Sequence, residues 1–89
     1  MAGIPLDIAL APPVAGRTPL VVLEDWGDGL RLVLYRWDAF GFRGTAWGAV
    51  EPGALAVTDA GVGYQPDGRE APCALEVADR QVLLRCPLN

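Results

Sequence analysis

The chain has 89 residues, 52% of them hydrophobic and 20% charged, and carries a formal net charge of −4. That length leaves room for one domain over residues 1–89 and excludes a second core. Its seven basic residues are all arginine, too few for wrapping nucleic acid, which needs dense positive charge.

A body of this size buries only about 60–65% of the surface its unfolded chain exposes. So apolar a composition therefore leaves large side chains outside, where a partner or a second copy of the chain can cover them. Arginine without lysine, in an Ala-, Gly-, Pro- and Val-rich background, fits a GC-rich bacterial genome. No apolar run reaches the roughly 18 residues that a membrane span needs. The start, "MAGIPLDIALAPPVAG", lacks a cationic leader, and Pro5 and Asp7 interrupt any signal core. The expected location is cytoplasmic, or exported if the two cysteines are bridged.

Period-2 alternation runs through the sequence, without a helix-period stripe of ten or more residues. Ile4, Leu6, Ile8 and Leu10 alternate with Pro5, Asp7 and Ala9. Residues 1–13 thus read as an edge strand and a Pro-terminated arm, since proline cannot donate to a central ladder. "PLVVLEDWGDGLRLVLYRW" follows as a hairpin turning at Gly27-Asp28, where glycine supplies the positive φ of a type II′ turn. That register sets Glu24 opposite Arg31, Leu23 opposite Leu32 and Val22 opposite Val33. One face then holds Val21, Leu23, Leu30, Leu32 and Leu34. The other holds Leu20, Val22, Trp26, Val33, Tyr35 and Trp37. Both faces are apolar, so the hairpin should be central and covered on each side.

Beyond it, Gly41 and Gly44 permit a bend or bulge beside Phe40 and Phe42. "TAWGAVEPGALAVTDAGVGYQ" supplies two or three short strands turned at Pro52-Gly53 and at Asp59-Ala60-Gly61, and Pro66-Asp67-Gly68 marks a further turn. The fold class expected is all-β: a small antiparallel meander of about seven short strands, closing as a barrel or a two-sheet sandwich.

The closing segment "CALEVADRQVLLRC" is the most specific signal. A two-residue turn at Asp79-Arg80 pairs Val77 with Val82, Leu75 with Leu84 and Cys73 with Cys86. The cysteines fall at a non-hydrogen-bonded pair, where side chains come closest. Two states stay open. One is a cross-strand disulfide, which in the chain-entropy model contributes about 3 kcal/mol. The other is a pair of reduced thiols packed as small apolar groups, the usual state in a cytosol. A metal site is not expected, because two thiolates without histidine leave half of a tetrahedral zinc shell empty.

Histidine and serine are both absent. No group titrates near neutrality in its unperturbed state, and serine-nucleophile chemistry is excluded. The aspartates sit singly in turns, where their side chains bond the local backbone. "EDWGDG" lacks the spacing of a calcium loop, and "GVGYQPDG" precedes a turn rather than a helix N-terminus that could hold phosphate. Phe40-Gly41-Phe42 matches the centre of the RNA-recognition strand, but Asp38, Ala39, Arg43 and Thr45 stand where that pattern needs basic, glycine, valine and aromatic residues.

The composition therefore points to a non-enzymatic domain, without cofactor, that acts through protein–protein contact. Accessory subunits, immunity- or inhibitor-type proteins and self-associating modules all fit. The expected contact residues are Tyr35, Arg36, Trp37, Phe40, Phe42 and Arg43, because Trp, Tyr and Arg dominate interface energetics. The alternative is a carbohydrate or small-ligand module in which Trp26, Trp37 and Trp47 act as stacking platforms.

Overall fold

The computed structural model describes residues 3–11, 18–38, 41–58 and 61–87. They form eight strands: β1 (Ile4–Leu10), β2 (Leu20–Asp25), β3 (Leu30–Asp38), β4 (Gly41–Val50), β5 (Gly53–Thr58), β6 (Gly61–Pro66), β7 (Cys73–Ala78) and β8 (Gln81–Arg85). All belong to one sheet in the order β1-β2-β3-β4-β8-β7-β6-β5, curled until its two outer strands approach and nearly close a barrel. The all-β expectation holds, and barrel prevails over sandwich.

The sheet is two antiparallel meanders, β1–β4 and β5–β8, joined where β4 meets β8 in parallel at Trp47 and Gln81. Backbones approach so closely at this seam that a Cβ on Gly48 would lie 2.0 Å from the Val82 carbonyl oxygen. Glycine is required there for space, not for its φ. The Trp47 amide donates to the Arg80 carbonyl at 3.2 Å, which holds the β7–β8 turn against β4.

The central hairpin has the register read from the sequence, with Glu24 opposite Arg31, Leu23 opposite Leu32 and Val22 opposite Val33. Gly27 has φ +85°, as the first slot of a II′ turn demands. Val21, Leu23, Leu32 and Leu34 point into the barrel, where Ala46, Tyr64 and Val82 complete the buried cluster. Leu32 and Tyr64 are wholly buried. The Tyr64 hydroxyl donates to the Glu51 carbonyl, so burying the ring leaves no polar atom orphaned. Val22 and Val33, on the opposite face, are buried too. The expectation that both faces are covered is met for the inner face and only in part for the outer one, where Trp37 is 52% exposed.

β3 and β4 pair from Leu30–Val50 down to Asp38–Gly41, with one irregularity: Leu34 faces Ala46 and Tyr35 faces Gly44, leaving Thr45 as the extra residue. This is the bulge expected near Gly44. The Pro66-Asp67-Gly68 turn forms with Gly68 at φ +86° and an Arg69 amide bond to the Pro66 carbonyl. Asp59 and Ala60, the turn expected between β5 and β6, and Pro12 and Pro13, the expected end of the arm, lie outside the described residues.

The β7–β8 hairpin pairs Ala78 with Gln81, Val77 with Val82, Leu75 with Leu84 and Ala74 with Arg85, as expected. Cys73 and Cys86 then meet in a disulfide with Cα atoms 4.1 Å apart. The bridged state is the one adopted, and it suits an oxidising environment. No described helix is long and apolar enough to cross a membrane.

β1 occupies a sheet edge, as its proline implies. Its four large apolar side chains all face water, with Ile4 at 66%, Leu6 at 54%, Ile8 at 59% and Leu10 at 64% exposure. The buried position on this strand is Ala9. Pairing with β2 slips between Pro5 and Asp7, so the edge is interrupted by a bulge, a device that discourages strand addition while leaving the side chains free to make contacts.

Candidate functional site

Side chains alternate across a strand, and residues opposite each other share a face. Arg31, Val33, Tyr35 and Trp37 of β3 therefore share the outer face of the barrel. Glu24 joins them opposite Arg31, Trp47 opposite Val33 and Phe42 opposite Trp37. The outer surface of β2–β4 thus collects one acid, one arginine and four aromatic rings.

Glu24 anchors this face. It is 1% exposed, the single charged residue among the buried ones described. Trp26 Nε1 donates to its Oε1 at 2.9 Å, and the Tyr35 hydroxyl donates to Oε2. A buried carboxylate is tolerable only when donors replace lost water, and here each oxygen has one. Gly3 closes the back of the cluster: a Cβ there would meet Trp26 Nε1 at 2.5 Å and Glu24 Oε1 at 2.9 Å. Burial, and then the hydrogen bond and charge of Glu24, push the Tyr35 hydroxyl up to about 12. Tyr35 is thereby held as a neutral donor.

Arg31 lies between two indoles, its guanidinium carbon 4.2 Å from the Trp26 ring centre and 4.6 Å from that of Trp47. Cation–π contacts of this kind contribute about 0.5–2 kcal/mol each. Arg31 also forms an exposed pair with Asp28 at 3.6 Å, which adds little. These groups surround a cavity of about 480 Å³ whose wall continues through Val33, Thr45 and Arg80. Arg80 reaches it from the β7–β8 turn, where Asp79 and Arg80 have φ of 51° and 68°. Two successive positive φ values define a type I′ turn, normally given to Asn and Gly. An arginine there costs about 1–2 kcal/mol, so the chain carries strain at the rim of the cavity.

The contact residues expected from sequence divide between two places. Tyr35 belongs to the cavity. Trp37 and Phe42 pack edge to face, ring centres 5.0 Å apart, at the far end of the β3–β4 hairpin. They are 52% and 51% exposed. Arg36 and Arg43 are opposite each other on the same two strands, both exposed. Phe40 lies outside the described residues. Of the three tryptophans, Trp26 and Trp47 flank the cavity and Trp37 does not.

Glu24, Arg31 and Arg80 were not among the residues expected from sequence. The signal for Glu24 was available: the register puts one carboxylate, opposite Arg31, on a largely apolar face of a central hairpin. Arg80 had no such signal, because it comes from a distant hairpin. Among the described residues, no three His, Cys, Asp or Glu side chains gather as a metal site. Comparison with family models, curated proteins and solved structures finds no match to this chain.

Proposed function

We propose that the protein is a small non-enzymatic domain that docks onto another protein through the end of the β3–β4 hairpin. One observation carries this reading: Trp37 and Phe42 are locked against each other yet half in water. A preformed aromatic pair loses little side-chain entropy on binding, and aromatic anchors supply most of the energy of protein interfaces. Arg36 and Arg43, a cross-strand pair on the opposite face of the same hairpin end, add positive charge there that suits an acidic partner surface. The exposed apolar row of β1 adds a second area that so small a domain leaves in water. The disulfide makes export the favoured location, with the partner also outside the cytosol.

Light scattering and an apolar-dye titration at micromolar concentration test the proposal, with cross-linking in an extract of the native host as the partner assay. Dye binding, together with either association of the chain or a cross-linked partner, each lost in Trp37→Ala/Phe42→Ala, is expected. A strict monomer that binds no dye and cross-links to nothing overturns it.

A further inference from the structure

We propose that the open edge of β4, at the end of the β3–β4 hairpin, takes an extended segment of the partner as an added strand, one that alternates acidic and apolar residues. This rests on the docking reading above and names the chemistry of what docks there.

The edge comes from the topology. β4 pairs with β3 along its whole length, whereas β8 meets it only at Trp47. Among the described residues, Gly41 to Ala46 thus have a neighbouring strand on one side alone. Phe42, Arg43, Gly44 and Thr45 are all exposed. The pair that closes a tight hairpin is hydrogen-bonded, and the pairs alternate from there. Asp38–Gly41 is the closing pair, so Phe42 and Gly44 turn their main-chain N–H and C=O groups away from β3. Pairing is regular from Gly41 to Gly44, and the bulge comes after it at Thr45. The edge of β1, in contrast, is blunted by its slip between Pro5 and Asp7. Strand addition takes its affinity from such outward main-chain groups and its specificity from side chains on alternate faces.

The two faces of the hairpin end select the segment. One presents Trp37 and Phe42, the other Arg36 and Arg43. An added strand shows its residues to these faces in turn. The residue opposite Arg43 should therefore be acidic, and those opposite Phe42 and Gly44 apolar. Asp38 shares the arginine face, but it lies at the closing pair and two strands from the added segment. Gly44 sets no side chain beside Tyr35, and both line the cavity of about 480 Å³ together with Thr45 and Trp47. A large apolar side chain opposite Gly44 has that cavity to enter. A second copy fits less well. The two-fold register that pairs Phe42 with Gly44 in both directions sets Arg43 against its own copy, and like charges directly opposite destabilise a strand pair. A strand of alternating acidic and apolar residues satisfies both faces.

The test is an amide NMR titration of the full oxidised chain with the end-blocked peptide Thr-Val-Glu-Phe-Glu-Val-Thr. Separate arms use the same peptide with lysine for both glutamates, and with its three central residues N-methylated. The acidic peptide is expected to shift the Phe42 and Gly44 amide signals saturably and to slow their hydrogen exchange. The lysine peptide should bind about threefold to tenfold more weakly, the scale of reversed cross-strand charges, and the N-methylated one not at all. Arg43→Glu, with its folding checked by its melting temperature, should move the preference to the lysine peptide. The proposal is overturned if the acidic peptide at millimolar concentration moves neither amide, or if the lysine or N-methylated peptide binds equally well. Protection of Phe42 and Gly44 by self-association of the chain alone would overturn it too. In each case, loss of the cross-linked partner in Trp37→Ala/Phe42→Ala decides the docking reading separately.

Discussion

Tyr35 donates its hydroxyl hydrogen to Glu24 across two neighbouring strands, eleven residues away in sequence. That bond lets a carboxylate sit 1% exposed on the outer face of the barrel. Removing the donor in Tyr35→Phe leaves Oε2 buried without a partner. The expected cost is about 1–3 kcal/mol, read as a lower midpoint in urea with an unchanged slope. Glu24→Gln should be milder, since an amide oxygen can still accept from one of the two donors.

The same bond has a pH signature. Tyr35 rises from 10.0 in its ordinary state to about 12 in the folded chain. A phenol that loses its proton less readily when folded contributes stability in full below pH 10. That contribution drains away as pH climbs from 10 to 12. Tyr64 shifts in the same direction, through burial first and the nearby charge of Asp67 second. Melting temperature should therefore fall with rising pH above 10, less steeply in Tyr35→Phe than in the parent. A variant that tracks the parent throughout would show that Tyr35 is not the group responsible.

The Cys73–Cys86 bridge predicts inert thiols. Native protein without reductant should take up no maleimide, and full labelling would rule the disulfide out. Reduction, or Cys73→Ala/Cys86→Ala, is expected to cost about 3 kcal/mol. In a domain of this length that is a drop of roughly 12–24 °C in the melting temperature, measurable by calorimetry with and without reductant.

The seam between the two meanders should tolerate no side chain at Gly48. A methyl group there would strike the Val82 carbonyl, so Gly48→Ala is expected to destabilise by more than about 2 kcal/mol or to separate β4 from β8. Gly44→Ala is the control. Its Cβ would meet Val33 Cγ1 at 3.4 Å, an ordinary contact, and its effect should stay within about 0.5 kcal/mol. Equal losses in the two variants would refute the seam.

Strain in the β7–β8 turn can be relieved independently of any contact. Asp79→Asn/Arg80→Gly should raise stability by about 1 kcal/mol, because both φ values suit the new residues. A lower melting temperature would contradict the strain.

Most of the architecture was legible because strand patterns are local. Alternation and turn chemistry over a few residues placed the Gly27-Asp28 and Asp79-Arg80 turns. Once a hairpin turn is placed, cross-strand partners follow by counting, which is how Cys73 came to face Cys86. The aromatic pair of Trp37 and Phe42 was within reach for the same reason: they are direct partners in one hairpin.

What tertiary structure alone decided involves residues that no single hairpin joins. Parallel contact between β4 and β8 brings Arg80 to Trp47, and nothing in either segment encodes the other. The curl of the sheet decided that Ile4, Leu6, Ile8 and Leu10 face water rather than the core. Alternation can say that residues share a side, but which side is inside depends on how all eight strands close around Leu32 and Tyr64. The sequence determined the hairpins because their energetics are short-range; closure, seam and cavity depend on packing between distant segments, which only the folded chain brings together.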